Sequence, residues 1–360
     1  MKLMIEFYIA ICILLLIFNV VFVFRKNIEM MYFANSTKHF QRYILKIYGK
    51  YDVTKGLDNK TKKKIKVKLG KVKYLVAMHE TLQMLKPINL GFEEEVKICV
   101  WSQVNKYLKK TNEQQAYFAY VVSTFNYQEV IASDDNMMQF MNYLNTDSLY
   151  TLTNTMDAIC NLNNTYMVHS AINIINNSNI FYHKKLFTQS LLNFKGKEEE
   201  LQQILMVHFE EYNNVIKEGI LDYFRLKNVQ ASEFYINILE NNKQDMEIIY
   251  ATMRCLGQYP TQTSKIFFQS VLDNESENWI KELLAVKGLI HFQDSMTKKL
   301  IYDRVTHANW DVRCSAIEYF ITNFLQGNEL QNILGLNDKY ANEALIYRYA
   351  QVKKRVKVVG

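Results

Sequence analysis

At 360 residues the chain is too long for one ordinary core and suits two or three domains or one long array. Hydrophobic residues make up 49% of it, yet Pro occurs only twice and Gly 11 times, a balance that excludes a sheet protein built on Gly/Pro turns and favours helices joined by short polar turns. The charge of +7 is unevenly placed: residues 25–73 hold fifteen Lys/Arg against Glu29, Asp52 and Asp58, a net +12, which leaves residues 74–360 at −5.

The N-terminal run Phe7 to Phe24, FYIAICILLLIFNVVFVF, has eighteen residues and no charge. As a helix it spans about 27 Å, close to the hydrocarbon thickness of a bilayer. A cleaved signal peptide would start basic, be shorter and end in small residues. Here Glu6 follows Lys2 and the run closes on Val23-Phe24-Arg25-Lys26, so an uncleaved anchor over 1–25 is expected. The basic flank on its C-terminal side predicts, by the positive-inside rule, an external N-terminus and a cytoplasmic body.

Residues 26–90 read as a basic juxtamembrane helical segment. Its densest part is Lys60 to Lys73, KTKKKIKVKLGKVK. Ile65, Val67 and Leu69 alternate with lysines as in a strand, whereas Ile65, Leu69, Val72 and Val76 follow a helical spacing that joins a longer pattern through Leu85. The helix is the expected form, with Gly70 as its weak point. Apolar residues on one side and Lys62, Lys63, Lys64, Lys66, Lys68, Lys71 and Lys73 on the other suit an anionic leaflet surface. A solvated lysine face that only follows positive-inside statistics is the plainer alternative. The interleaved residues are aliphatic, so nucleic acid is not an expected partner.

Residues 91–148 carry helical patterns without clear repetition, read as degenerate repeats. From 149 to 327 the chain is periodic. The segments beginning Gln244, Glu277 and Ala308 align Asp245-Met246 with Asn278-Trp279 and Asn309-Trp310, and Ala285 with Ala316. One apolar column, Phe224, Leu256, Leu289 and Phe320, recurs at 32, 33 and 31 residues and extends back to Leu191 or Leu192 and Ile159. A second, Ile175, Val207, Leu239, Leu272 and Val305, recurs at 32, 32, 33 and 33. Each unit is therefore a helix pair joined by turns such as Asn241-Asn242 and Asp273-Asn274. Such a pair cannot bury its apolar face alone, so the expected fold class is all-α, an α-solenoid of stacked pairs preceded by one transmembrane helix, with 328–360 as capping helix and tail.

Asp311-Val312-Arg313, followed by Ala316 and Phe320, resembles the second helix of a HEAT repeat, including the bacterial HEAT-like branch. Glu282 and Ile249 stand where Arg313 falls, so the Asp/Arg ladder of that family occurs once. A tetratricopeptide array is the alternative, but its Trp/Leu-Gly/Tyr/Pro signature is missing. The resemblance implies that second helices line a concave face. Asp157, Asp222, Arg254, Lys287 and Glu318 all lie two residues before the first column, and on that face they form, with Arg313, a candidate protein-binding strip or a ladder of inter-repeat salt bridges (Asp222 to Arg254, Lys287 to Glu318).

No catalytic or cofactor signature stands out. His79-Glu80-Thr81-Leu82-Gln83 resembles a zinc-protease motif but offers Gln83 where the second His belongs. Cys12, Cys99, Cys160, Cys255 and Cys314 are odd in number and far apart, which suits buried thiols in a reducing compartment and neither a disulfide framework nor a zinc site. The expectation is a non-enzymatic, cofactor-free scaffold or adaptor of the cell membrane. Its partner would be a protein, itself membrane-associated, and anionic lipid would contact the basic stretch; an accessory subunit of an envelope-building or signalling complex is one such role. A HEAT-like glycosylase or lyase, or a ligand- or lipid-sensing solenoid, is the alternative.

Overall fold

The computed structural model describes residues 2–86, 88–125, 135–178, 180–241, 244–274, 278–325 and 328–359. Asn242 of the expected Asn241-Asn242 turn and Glu277 at the head of a repeat segment lie outside them. The described residues form twenty α-helices, two short 3-10 turns and no strand. The fold is all-helical and divides into two compact units, Met1–Ile180 with Asn193–Gly196, and Phe181–Leu192 with Lys197–Gly360.

The first unit contains α1 (Lys2–Tyr48), α2 (Asn59–Leu69), α3 (Val72–Met84), α4 (Leu90–Trp101), α5 (Val104–Tyr107), α6 (Asn112–Ser123), α7 (Asp135–Met141), α8 (Leu149–Asn161) and α9 (Thr165–Asn176). No Gly or Pro interrupts α1, which is long and apolar enough to cross a bilayer by length and composition. It does not stop at Arg25. Its apolar part is exposed, but Thr37, Phe40 and Ile44 are buried where α1 packs on α3, so one unbroken rod reaches from the apolar run into the core of the unit.

Contacts along α1 set the direction of its neighbours. The Thr37 hydroxyl lies 3.5 Å from the Lys73 carbonyl, Gln41 donates to Glu80 at 2.7 Å, and the Tyr48 hydroxyl accepts from the Asn89 amide at 3.3 Å, so α3 runs parallel to α1. The Lys64 ammonium lies over Tyr43 and that of Lys68 over Phe40, so α2 runs the opposite way. The lysine-rich helix expected to continue through Gly70 is broken there: Gly70 caps α2 and Lys71, in extended conformation, opens α3. The break turns α3 back along α1 and brings the α2–α3 corner level with Tyr32 to Ser36.

Hydrogen bonds in this unit recur at a longer interval than the sequence columns. Tyr107 donates to the Leu69 carbonyl at 2.9 Å, Tyr143 to Val104 at 2.7 Å, and Asn154 and Asn161 to Ala116 and Ser123 at 2.9 and 2.7 Å. The partners are 38 or 39 residues apart.

The second unit contains α10 (Lys184–Leu192), α11 (Glu198–Val207), α12 (Asn214–Leu226), α13 (Ser232–Glu240), α14 (Met246–Leu256), α15 (Gln262–Asp273), α16 (Trp279–Gly288), α17 (Ser295–Tyr302), α18 (Trp310–Asn323), α19 (Glu329–Leu334) and α20 (Lys339–Val359). Each even-numbered helix from α10 packs on the next, as far as α20, and α13, α15 and α17 pack in the same order beside them. The recurring Asn/Asp positions are N-caps: the side chains of Asn213, Asp245, Asn278 and Asn309 accept from the first amides of α12, α14, α16 and α18. Each satisfies a backbone donor that the helix leaves unpaired.

The first apolar column is buried throughout, at Leu191, Phe224, Leu256, Leu289 and Phe320, and in the first unit at Ile159. The second column is buried at Ile175, Leu272 and Val305 but departs at Leu239, which is half-buried beside buried Ile238, and at Val207, which is 71% exposed while Leu205 is buried. α11 ends at Val207 and a 3-10 turn follows, so the last core position falls two residues earlier.

Candidate functional site

The charged strip does not form the expected ladder. Asp222 pairs with Arg225 on its own helix at 3.4 Å, and Glu318 with Arg348 of α20 at 3.7 Å. Neither Asp222–Arg254 nor Lys287–Glu318 is among the described ion pairs. Axes of packed helices lie about 8–10 Å apart, so equivalent side chains project side by side and each acid takes a nearer cation. Arg254 and Lys287 remain exposed.

Those two cations line a groove of about 340 Å³ between α14 and α16, together with Arg225, Met253, Gly257, Gln258, Leu284 and Gly288. Close helix approach makes the groove. A side chain on Gly257 would lie 3.3 Å from the Gly288 Cα, and one on Gly288 would overlap the Phe268 ring. Three cations thus share a surface in which the one described ion pair is Arg225–Asp222. Arg225 and Gln258 were not singled out in the sequence because neither belongs to a repeating column.

Arg313 is not part of that surface. It is 6% exposed, donates to the His307 carbonyl at 2.6 Å and stacks its guanidinium 5.4 Å from the Tyr340 ring. At the equivalent place in the preceding unit, Glu282 is buried and bonded to Arg304 at 2.9 Å, a pair with no motif to announce it.

The basic stretch is also more structural than its pattern predicts. Ile65 and Leu69 face the core of the first unit, so the apolar side expected to meet lipid is occupied by protein. Lys62 pairs with Glu95 at 2.7 Å. Lys64 lies over Tyr43 at 4.6 Å, Lys68 over Tyr74 at 4.7 Å, and Lys73 over Tyr32 at 4.1 Å while reaching the Ser36 hydroxyl at 3.2 Å. Lys63 and Lys71 are exposed and Lys66 is half-buried.

No family model, curated protein or solved structure matches this chain.

His79 packs edge-on to Tyr117 and Tyr120, and burial holds its imidazole below the usual range. Gln83 lies 3.4 Å from its Nε2. Among the described residues no group of three or more His, Cys, Asp or Glu is placed to hold a metal ion. Burial pushes the Cys99 thiol up to about 11 and that of Cys255 up to about 12; Cys160 and Cys314 are raised by the same cause. Thiols so shifted are poor nucleophiles at neutral pH. The cationic groove between α14 and α16 is a feature of the second unit in which exposed charge and a concave surface coincide.

Proposed function

We propose that this chain is a single-pass membrane scaffold: α1 crosses the bilayer, the body lies in the cytoplasm, and the second unit is a HEAT-like stack of helix pairs that captures a protein partner in the groove of Arg225, Arg254 and Lys287. The observation that carries the reading is the exposure of Arg254 and Lys287 beside a cleft, with no acid bonded to either among the described residues. Support for the stack comes from the consecutive packing of α10, α12, α14, α16, α18 and α20 and from the buried 31–33-residue column along them. A cationic cleft fits an acidic segment of another protein, and exposed charge of this kind acts mainly through encounter rate and selectivity.

The experiment is crosslinking and affinity capture of the full chain from membranes, comparing the wild type with R254E/K287E. Loss of the captured partner with unchanged thermal stability supports the reading; equal capture by the double variant refutes it. The basic cleft also favours a second reading, a nucleic-acid-directed solenoid enzyme. No aromatic ring is among the residues that line it, and base stacking needs one. An abasic-site release assay on the full chain tests that alternative.

A further inference from the structure

We infer that the corner between α2 and α3 is a binding site for the phosphate of an anionic membrane lipid, held by Lys71, Lys106 and Lys110. The inference rests on the proposed crossing of the bilayer by α1.

Three lysines meet at this corner from segments far apart in the chain. Tyr107 anchors α5 to the end of α2 through its bond to the Leu69 carbonyl, and the Lys110 ammonium lies 4.9 Å from the centre of the Tyr107 ring. The Lys106 ammonium fills the space that a side chain on Gly70 would take. Lys71 follows directly and is exposed, as is Lys106. None of the three is in a described ion pair, whereas Lys62 and Lys97, elsewhere in the same unit, are bonded to Glu95 and to Glu93 and Glu94. The C-terminal carbonyls of α2 present about half a negative charge, enough to draw one ammonium but not to offset three. Lys110 responds to the crowding: burial first, then the charges of Lys106 and Lys71, lower its pKa from the ordinary value. A multiply charged oxyanion relieves this repulsion, and phosphate offers several acceptors to ammonium donors at once.

Position selects the source of the phosphate. With Phe24 at the edge of the hydrocarbon, the helical rise puts Tyr32 about 12 Å and Ser36 about 18 Å beyond it. The α2–α3 corner is level with these residues, since Lys73 contacts both. Headgroups fill roughly the first 5–8 Å outside the hydrocarbon. The corner is therefore about one Debye length (~8 Å) from them, within lysine reach. Lys64, level with Tyr43 at about 28 Å, stands more than two Debye lengths away. The exposed Ile28, Met31, Tyr32 and Phe33 between the anchor and the unit favour a helix seated deep enough to bring the corner closer still. Of the seven lysines that the sequence pattern assigns to the membrane surface, Lys71 and Lys73 are at this end.

The test is lysine acylation, read by mass spectrometry, on the full chain in nanodiscs of phosphatidylcholine with or without phosphatidylglycerol. Lys71, Lys106 and Lys110 should react several-fold more slowly when phosphatidylglycerol is present, with Lys63 and Lys64 unchanged. Equal rates at the corner in both discs, with the chain inserted, overturn this inference and leave the scaffold reading standing. Failure of the chain to enter either disc overturns both. Equal protection by millimolar inorganic phosphate in phosphatidylcholine discs overturns the assignment to lipid. K106A/K110A should insert normally and lose the lipid-dependent protection of Lys71; the wild-type comparison decides the matter even where that variant folds poorly.

Discussion

Glu282 and Arg304 meet at 2.9 Å in the second unit, and their side chains are 6% and 14% exposed. The carboxylate stands in the register position that Arg313 occupies one repeat later, while Arg304 reaches across from beyond α17 and also bonds the Leu272 carbonyl. His307 lies 3.8 Å from the same carboxylate. The acid therefore stands on α16 and its cation comes from the turn that follows α17.

Removing one member leaves the other buried and uncompensated, which costs about 3–5 kcal/mol. R304M and E282Q should each lower the urea midpoint strongly, whereas E282L/R304M should recover most of the loss. Full stability in R304M would mean the pair carries no structural weight.

The N-caps give a smaller, graded effect. N309A should cost about 1 kcal/mol, as removal of a capping side chain does elsewhere. N278A should cost more, because Asn278 also exchanges hydrogen bonds with Tyr250. Thermal denaturation of the two variants and of Y250F separates the cap from the tyrosine contact.

Two glycines shape the groove: Gly257 lets α14 approach the Gly288 backbone, and Gly288 makes room for Phe268 of α15. G288A places a methyl group against the Phe268 ring, and forced overpacking costs about 1–3 kcal/mol. Pairing it with F268L should restore stability. Capture of the partner should be weakened in G257A even after temperature is adjusted for any lost stability, because a methyl there lies 3.3 Å from the Gly288 Cα and separates α14 from α16.

Asp294 links pH to stability. Burial raises its carboxyl, but the bonds to Thr297 and the Lys265 ammonium at 3.1 Å outweigh it and hold the pKa below the ordinary value. A group depressed on folding contributes its stability above the unfolded value, about 3.9, and loses it as pH falls through the folded one. Acid denaturation should therefore begin at higher pH in K265M than in the wild type, while D294N should lack this part of the acid limb and be weaker at neutral pH.

The buried thiols predict a simple count. Cys99, Cys160, Cys255 and Cys314 should resist a disulfide reagent in the native chain at pH 8 and react together on denaturation. Rapid native reaction at Cys255, whose Sγ lies 3.2 Å from the Leu221 carbonyl, would contradict its burial.

Much of the architecture was legible in the chain. The first apolar column marks buried positions because a helix core repeats the same demand in every unit, and the aligned Asp245, Asn278 and Asn309 mark helix starts because capping is a local requirement. The 38–39-residue register of the first unit escaped notice because backbone carbonyls accept its bonds, and a carbonyl has no residue type to recur. The column broke at Val207 because a helix that ends early moves its last core residue without changing the composition around it.

Helical class, the apolar N-terminal rod, the 31–33-residue period and the helix starts were settled by neighbours within a few turns of one another, and local pattern records such constraints. Which charges meet was decided only when helices packed. Arg313 turned inward, Glu282 found Arg304, and Lys106 and Lys110 joined Lys71 at one corner. An ammonium or carboxylate is drawn to whatever lies within a few ångströms in space, and distance along the chain does not measure that.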